Sequence, residues 1–143
     1  MICTMFGHKD APKDIEPHLE RTIKNLIVSG VICFYVGNNG NFDFYAQRTL
    51  KKIAENYDNV SFSVVLSTIN ESAIGTEQKN TIFPDGLEKS LPRFAIAKRN
   101  DWMINNSQIV IAYVKHTFSN SHKWIEKARK KGLRIINLEE HNF

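Results

Sequence analysis

Short apolar runs alternate with longer stretches in which apolar residues recur every three or four positions, and the alternation continues from one end of the chain to the other. Ile2–Phe6 is an apolar run of strand length. From Pro12 to Ser29, Ile15, Leu19, Ile23, Leu26 and Ile27 fall at helical spacing, and Gly30 is placed to stop that helix. Val31–Val36 is β-branched and aromatic, which predicts a second strand. The spacing of Phe42, Tyr45, Ala46, Leu50 and Ile53 predicts a helix from about Asn41 to Asn56, and Val60–Leu66 reads as a third strand. Ser67 to about Leu91, with Gly75 and Pro84-Asp85-Gly86, is the one irregular stretch, and loops of that length are often binding loops or lids. Pro92 opens a helix running to about Asn105; Ile109–Val114 is a fourth strand, Ser121–Lys131 a helix ended by Gly132, and Leu133–Leu138 a fifth strand.

Strands that are apolar on both faces and separated by helices predict a buried parallel sheet. The expected fold is one α/β domain over residues 1–143: Rossmann-like, doubly wound, with a mostly parallel five-stranded sheet and helices on both faces. In such folds ligands bind beyond the carboxyl ends of the strands, near the point where strand order reverses. Four segments lie there: Gly7–Asp10, Gly37–Asp43, the long loop with the helix after it, and Lys115–His122.

Composition changes this picture little. The 143 residues are 42% hydrophobic and 24% charged, the balance of a soluble globular domain. No apolar run reaches the ~20 residues of a membrane span, and the apolar N-terminus lacks a basic leader, so a cytoplasmic chain is expected. The formal charge of +4 suits an anionic ligand. Its dispersal argues against a nucleic-acid partner, because Lys127, Arg129, Lys130 and Lys131 are accounted for as cations at a helix end. Cys3 and Cys33 sit inside apolar runs and read as buried free thiols; no spacing calls for a metal or a cofactor.

The strongest local signal is Gly37-Asn38-Asn39-Gly40-Asn41-Phe42-Asp43, which joins a strand directly to a helix. Its glycines allow a close backbone approach, and free amides at the helix start are able to hold phosphate or ribose oxygens. The plainer account is a tight turn with Asn41 as cap and Asp43 favouring the helix dipole. Gly7-His8-Lys9-Asp10 is not Gly-x-Gly-x-x-Gly, which argues against a conventional NAD-dependent dehydrogenase; His8 and Lys9 are anion contacts or ordinary turn residues. Arg99 falls three or four positions from Ala95, Ile96, Trp102 and Met103. It therefore shares their apolar face and needs either a carboxylate or an anionic ligand, with Arg93 as its companion. Ser119 and Ser121 are a second phosphate-binding helix start or simple caps, and His116 is a lone acid–base candidate.

With those residues placed, the chain resembles the SLOG superfamily, Rossmann-like proteins that include the Smf/DprA and Lonely Guy families. It is most similar to small stand-alone members. The resemblance rests on Thr4-Met5-Phe6-Gly7-His8-Lys9-Asp10, Tyr35-Val36-Gly37-Asn38-Asn39-Gly40-Asn41-Phe42-Asp43, Phe83-Pro84-Asp85-Gly86-Leu87-Glu88, and Pro92-Arg93-Phe94-Ala95-Ile96-Ala97-Lys98-Arg99-Asn100 with Trp102-Met103. It implies binding of nucleotides or their derivatives. Some members hydrolyse the N-glycosidic bond of nucleoside monophosphates, and others sense ADP-ribose-derived signals in antiviral defence. Ser119-Asn120-Ser121 stands where similar proteins carry paired glycines. The hydrolase string Pro-Gly-Gly-x-Gly-Thr-x-x-Glu is absent, so no catalytic residue is assigned.

The leading expectation is a module that senses or sequesters a nucleotide-derived signalling molecule, such as an ADP-ribose-like or cyclic nucleotide ligand, in defence or viral counter-defence. The rival is a nucleotide N-glycosidase, phosphoribohydrolase or ribosyltransferase, with Glu88 or Asp43 on the ribose and Arg99 on the phosphate. A DNA-associated protein is the third reading, and a homodimer is left open by Phe118 and Trp124.

Overall fold

Six parallel strands form the sheet. The computed structural model describes residues 1–68, 80–115 and 119–141. The strands are β1 (Ile2–Gly7), β2 (Cys33–Val36), β3 (Ser61–Val65), β4 (Thr81–Ile82), β5 (Ile109–Tyr113) and β6 (Arg134–Asn137). The helices are α1 (Glu16–Val28), α2 (Asn41–Ala54), α3 (Pro92–Asn105) and α4 (Asn120–Lys130). The strand order is β4-β3-β2-β1-β5-β6, so the chain winds outward from β1 in one direction and then returns to continue from its other side. The register of the central pair runs from Cys3 opposite Ile109 to Gly7 opposite Tyr113.

Side chains alternate across the sheet because strand residues point to opposite faces in turn. Cys3, Met5, Ile109, Ile111 and Tyr113 join Leu19, Ile23 and Leu26 of α1 and Phe42, Ala46, Leu50 and Ile53 of α2 in one apolar cluster. Phe6, Val110, Ala112 and Val114 join Met103 and Ile104 of α3 and Ile125 and Ala128 of α4 in the other. Both faces are covered, as a doubly wound sheet requires. Each fully buried Leu, Ile or Phe stabilises by roughly 1.5–3 kcal/mol.

The structure departs from expectation in four places. The sheet carries a sixth strand, β4, inside the stretch expected to be irregular; its two residues are too few to show a period. Helix α1 begins later than Pro12, behind a 3-10 turn at Lys13–Ile15, with Pro17 in its first turn, where a missing N–H costs nothing. Cys33 is only half-buried, whereas Cys3 is buried. Ile96 does not share the buried face of α3: that face holds Ala95, Arg99, Asn100, Met103 and Ile104, while Ile96 is exposed. No described helix is long and apolar enough to cross a membrane.

Three of the four cations at the end of α4 have local partners. Lys127 pairs with Asp101, Arg129 with Glu126, and Lys131 donates to Asn105.

Candidate functional site

Beyond the carboxyl ends of the central strands, beside the β1–β5 boundary where the winding reverses, lies a cavity of about 530 Å³. The loop after β1 contributes Gly7, His8, Lys9 and Asp10. The β2–α2 turn contributes Gly37 and Asn39, and the first turn of α2 contributes Asp43. Helix α3 supplies Arg93, Ile96, Ala97, Arg99, Asn100 and Met103, and the start of α4 supplies Ser119, Asn120, Ser121, Lys123 and Trp124. The volume is that of an ordinary small-molecule site.

At its floor a carboxyl and a guanidinium pinch a glycine. A Cβ on Gly37 would stand 2.8 Å from both Arg99 Nη1 and Asp43 Oδ2, closer than real Cβ contacts occur. Only a residue without a side chain lets α2 and α3 bring these charged groups together there. Arg99 is 3% exposed, and burial at that level demands partners. Its Nε donates to Asn100 Oδ1 at 2.8 Å and its Nη1 to the Val65 carbonyl at 3.0 Å and to Asn38 Oδ1 at 3.5 Å. Asp43 accepts the Asn39 N–H at 2.9 Å. Burial pushes its carboxyl up to about 6, against the opposing pull of the Asn39 N–H and the Arg99 charge.

The first two amides of α2 are not open to a ligand as the sequence suggested. Asn41 N–H donates to the Lys9 carbonyl at 2.9 Å and Phe42 N–H to the His8 carbonyl at 3.4 Å. The contact is tight on both sides. Gly40, at φ 107°, would place a Cβ 2.7 Å from Lys9 Cα, and a Cβ on Gly7 would meet the Phe42 ring at 2.2 Å. The two glycines thus let the β1 loop lie against α2, and the carbonyls of one satisfy the amides of the other.

Of the residues singled out from sequence, Gly7, His8, Lys9, Gly37, Asn39, Asp43, Arg93, Arg99, Ser119 and Ser121 line this one cavity. Asn38 reaches it through its bond to Arg99, and Gly40 by packing on Lys9. Several have local duties as well. His8 is buried, its Nε2 accepts the Lys115 N–H at 2.8 Å, and its ring stands edge-on to Tyr113, so it ties the ends of β1 and β5 together. Ser119 caps α4 by accepting the His122 N–H at 3.1 Å. Arg93 is exposed and stacks on Phe94, 4.9 Å from the ring centre. Glu88 is exposed and does not line the cavity, so the pairing of Glu88 with Arg99 over a shared ligand is not formed. His116 and Phe118 lie outside the described residues.

Sequence reasoning missed Asp10, Asn100, Lys123 and Trp124 as lining residues. For the last two a signal was available: they sit in the first turns of a helix that begins on the ligand edge. Asn100 gave none, since its position follows from the inward turn of Arg99.

No protein-family model matches the chain, and no curated protein matches it in sequence. Among solved structures it is similar to DNA processing protein A (DprA) from Streptococcus pneumoniae, with a TM-score of 0.69 and 15% identity. The match covers 93% of this chain and 48% of that one, so this chain spans about half the length of that protein. A likeness at this identity concerns the fold. On that ground the two chains share an architecture: a Rossmann-like, doubly wound α/β sheet, whose reversal point in this chain carries the cavity.

Proposed function

We propose that this chain captures a nucleotide-derived small molecule in the cavity at the reversal point, as a sensor or a sequestering protein. One observation carries the reading: Gly37 and Asp43 of the β2–α2 junction converge with Arg99 of α3, distant in sequence, within a cavity on the edge where doubly wound sheets bind ligands. A buried cation beside a carboxyl of raised affinity for protons is the kind of arrangement that marks functional clefts. Lys9 of the β1 loop, Arg93 of α3 and Lys123 of α4 add positive charge to the rim, which fits an anionic ligand. Ile96, Ala97 and Trp124 offer the apolar and aromatic surface a base or ribose needs. The test is calorimetry against ADP-ribose, cyclic nucleotides and nucleoside monophosphates, followed by heat denaturation and mass spectrometry of what is released. Recovery of an intact bound ligand supports capture. Absence of binding across the panel rejects it.

Asp43 also favours a second reading, cleavage of an N-glycosidic bond. A buried acid that holds its proton to about pH 6 is suited to general acid work on a leaving base. Release of free base from nucleoside monophosphates, lost on Asp43→Asn, is its signature. Base release unaffected by that substitution excludes Asp43 from the chemistry.

A further inference from the structure

Asp43 is a carboxyl placed against the group best suited to hold an anion. Its Oδ2 and Arg99 Nη1 stand at equal distance, 2.8 Å, from the point a Gly37 Cβ would occupy, and both residues line the cavity. An oxyanion reaching Arg99 from the cavity therefore arrives beside a carboxylate. Two negative charges side by side repel, and the carboxylate is a stronger base than a diphosphate oxygen. The carboxyl is free to take up a proton.

The other charged and titratable groups facing the cavity do not remove this conflict in the same way. Lys9 and Asp10 in the β1 loop, Arg93 in α3 and Lys123 in α4 are exposed and screened by water. His8 is buried, but its Nε2 accepts the Lys115 N–H, so a proton there would break a bond that joins two strands. Within the cavity Asp43 is the buried acid next to the buried guanidinium.

We propose that the cavity binds its anionic ligand together with a proton, which Asp43 takes from solvent as the ligand's anionic group settles against Arg99. The step forms one O–H bond on the Asp43 carboxyl and breaks none in the ligand. It converts Asp43 from a rival of the ligand into a hydrogen-bond donor, and it leaves the charge of Arg99 to the anion. The inference rests on the cavity being an anion-binding site. Free Asp43 already carries its proton below about pH 6, and burial is the cause. Binding below that pH therefore takes up no proton, and binding above it must bring one.

The test uses the intact chain and ADP-ribose, whose diphosphate has no group titrating near pH 6, unlike a phosphate monoester with its second pKa of about 6. Calorimetry at pH 7 in buffers of differing ionisation enthalpy counts protons directly. The expected result is an uptake approaching one proton, with affinity falling by up to roughly tenfold per pH unit above pH 6. Carbon NMR of the Asp43 carboxyl in the same protein gives a second readout: its titration moves to higher pH when ADP-ribose is bound. In Asp43→Asn, whatever its affinity, the proton uptake disappears. Binding without proton uptake overturns this inference and leaves the proposed function standing. Uptake that persists in Asp43→Asn assigns the proton to another group, His8 first, and overturns it too. If ADP-ribose produces no heat and no NMR shift between pH 5.5 and 8, the proton linkage is overturned, and anion capture by this cavity falls with it only when the cyclic nucleotides and nucleoside monophosphates fail to bind as well.

Discussion

Helices α2 and α3 are each 14 residues long and both open onto the cavity, yet they bury opposite kinds of residue. Helix α2 turns Phe42, Ala46, Leu50 and Ile53 to the sheet, with Asp43 as its single buried charge. Helix α3 turns Arg99 and Asn100 inward beside Ala95, Met103 and Ile104, and leaves Phe94 and Ile96 exposed. Helix α2 lines the cavity through Asp43 in its first turn and otherwise follows the core. Helix α3 lines the cavity from Arg93 to Met103 while meeting the core at Ala95, Met103 and Ile104. Where the cavity governs, polar groups lie inside, and apolar periodicity stops reporting which face is buried.

The contrast can be broken by substitution. Leu50→Ala removes an anchor that is 1% exposed and should lower unfolding free energy by about 2–5 kcal/mol in a denaturant melt. A loss below about 1 kcal/mol would mean that α2 is not held by its apolar face. The inward polar groups should show instead in the pH dependence. Asp43 binds its proton more tightly folded than unfolded, so its contribution to stability is greatest below about pH 4 and is lost as pH rises to about 6. The loss amounts to about 3 kcal/mol, read as a falling unfolding free energy across that window. Asp43→Asn should flatten this stretch of the curve; an unchanged slope assigns it to other groups.

Gly37→Ala pushes a methyl between Arg99 and Asp43 and should cost about 1–3 kcal/mol. It should also weaken any ligand held at that pair, whereas a variant that binds ADP-ribose as the unsubstituted chain does would place the ligand elsewhere. Phe94→Ser, on the outward face of α3, should shift stability by no more than about 0.5 kcal/mol. A larger loss would show that Phe94 is covered in solution by a partner.

The architecture was readable where regular segments carry a clear apolar run or period. The runs at β1, β2, β3 and β5 and the spacing in α2 needed no tertiary information. Strand β4 escaped because two residues carry no period and its pairing with β3 is decided by register alone. The convergence of Gly37 with Arg99 could be anticipated from the sheet-edge rule and from a cation placed among apolar residues. What the sequence could not reveal was competition for hydrogen bonds. The Asn41 and Phe42 amides look free in a helix start, and nothing in their own segment says that the His8 and Lys9 carbonyls take them. The same holds for His8, whose acceptor nitrogen is claimed by Lys115, 107 residues away. Ile96 was misplaced because Arg99 and Asn100, not its apolar neighbours, set the rotation of α3.

The lock between the β1 loop and α2 has a consequence for how this protein can change. Many doubly wound proteins grip a phosphate with main-chain amides, a contact that most side-chain substitutions leave in place. Here those Asn41 and Phe42 donors are committed to His8 and Lys9, so under the proposed capture function discrimination among ligands falls to side chains such as Arg93, Arg99, Ser121, Lys123 and Trp124. Substitutions at the exposed rim therefore alter the cavity's charge and shape while the lock between the β1 loop and α2 stays intact.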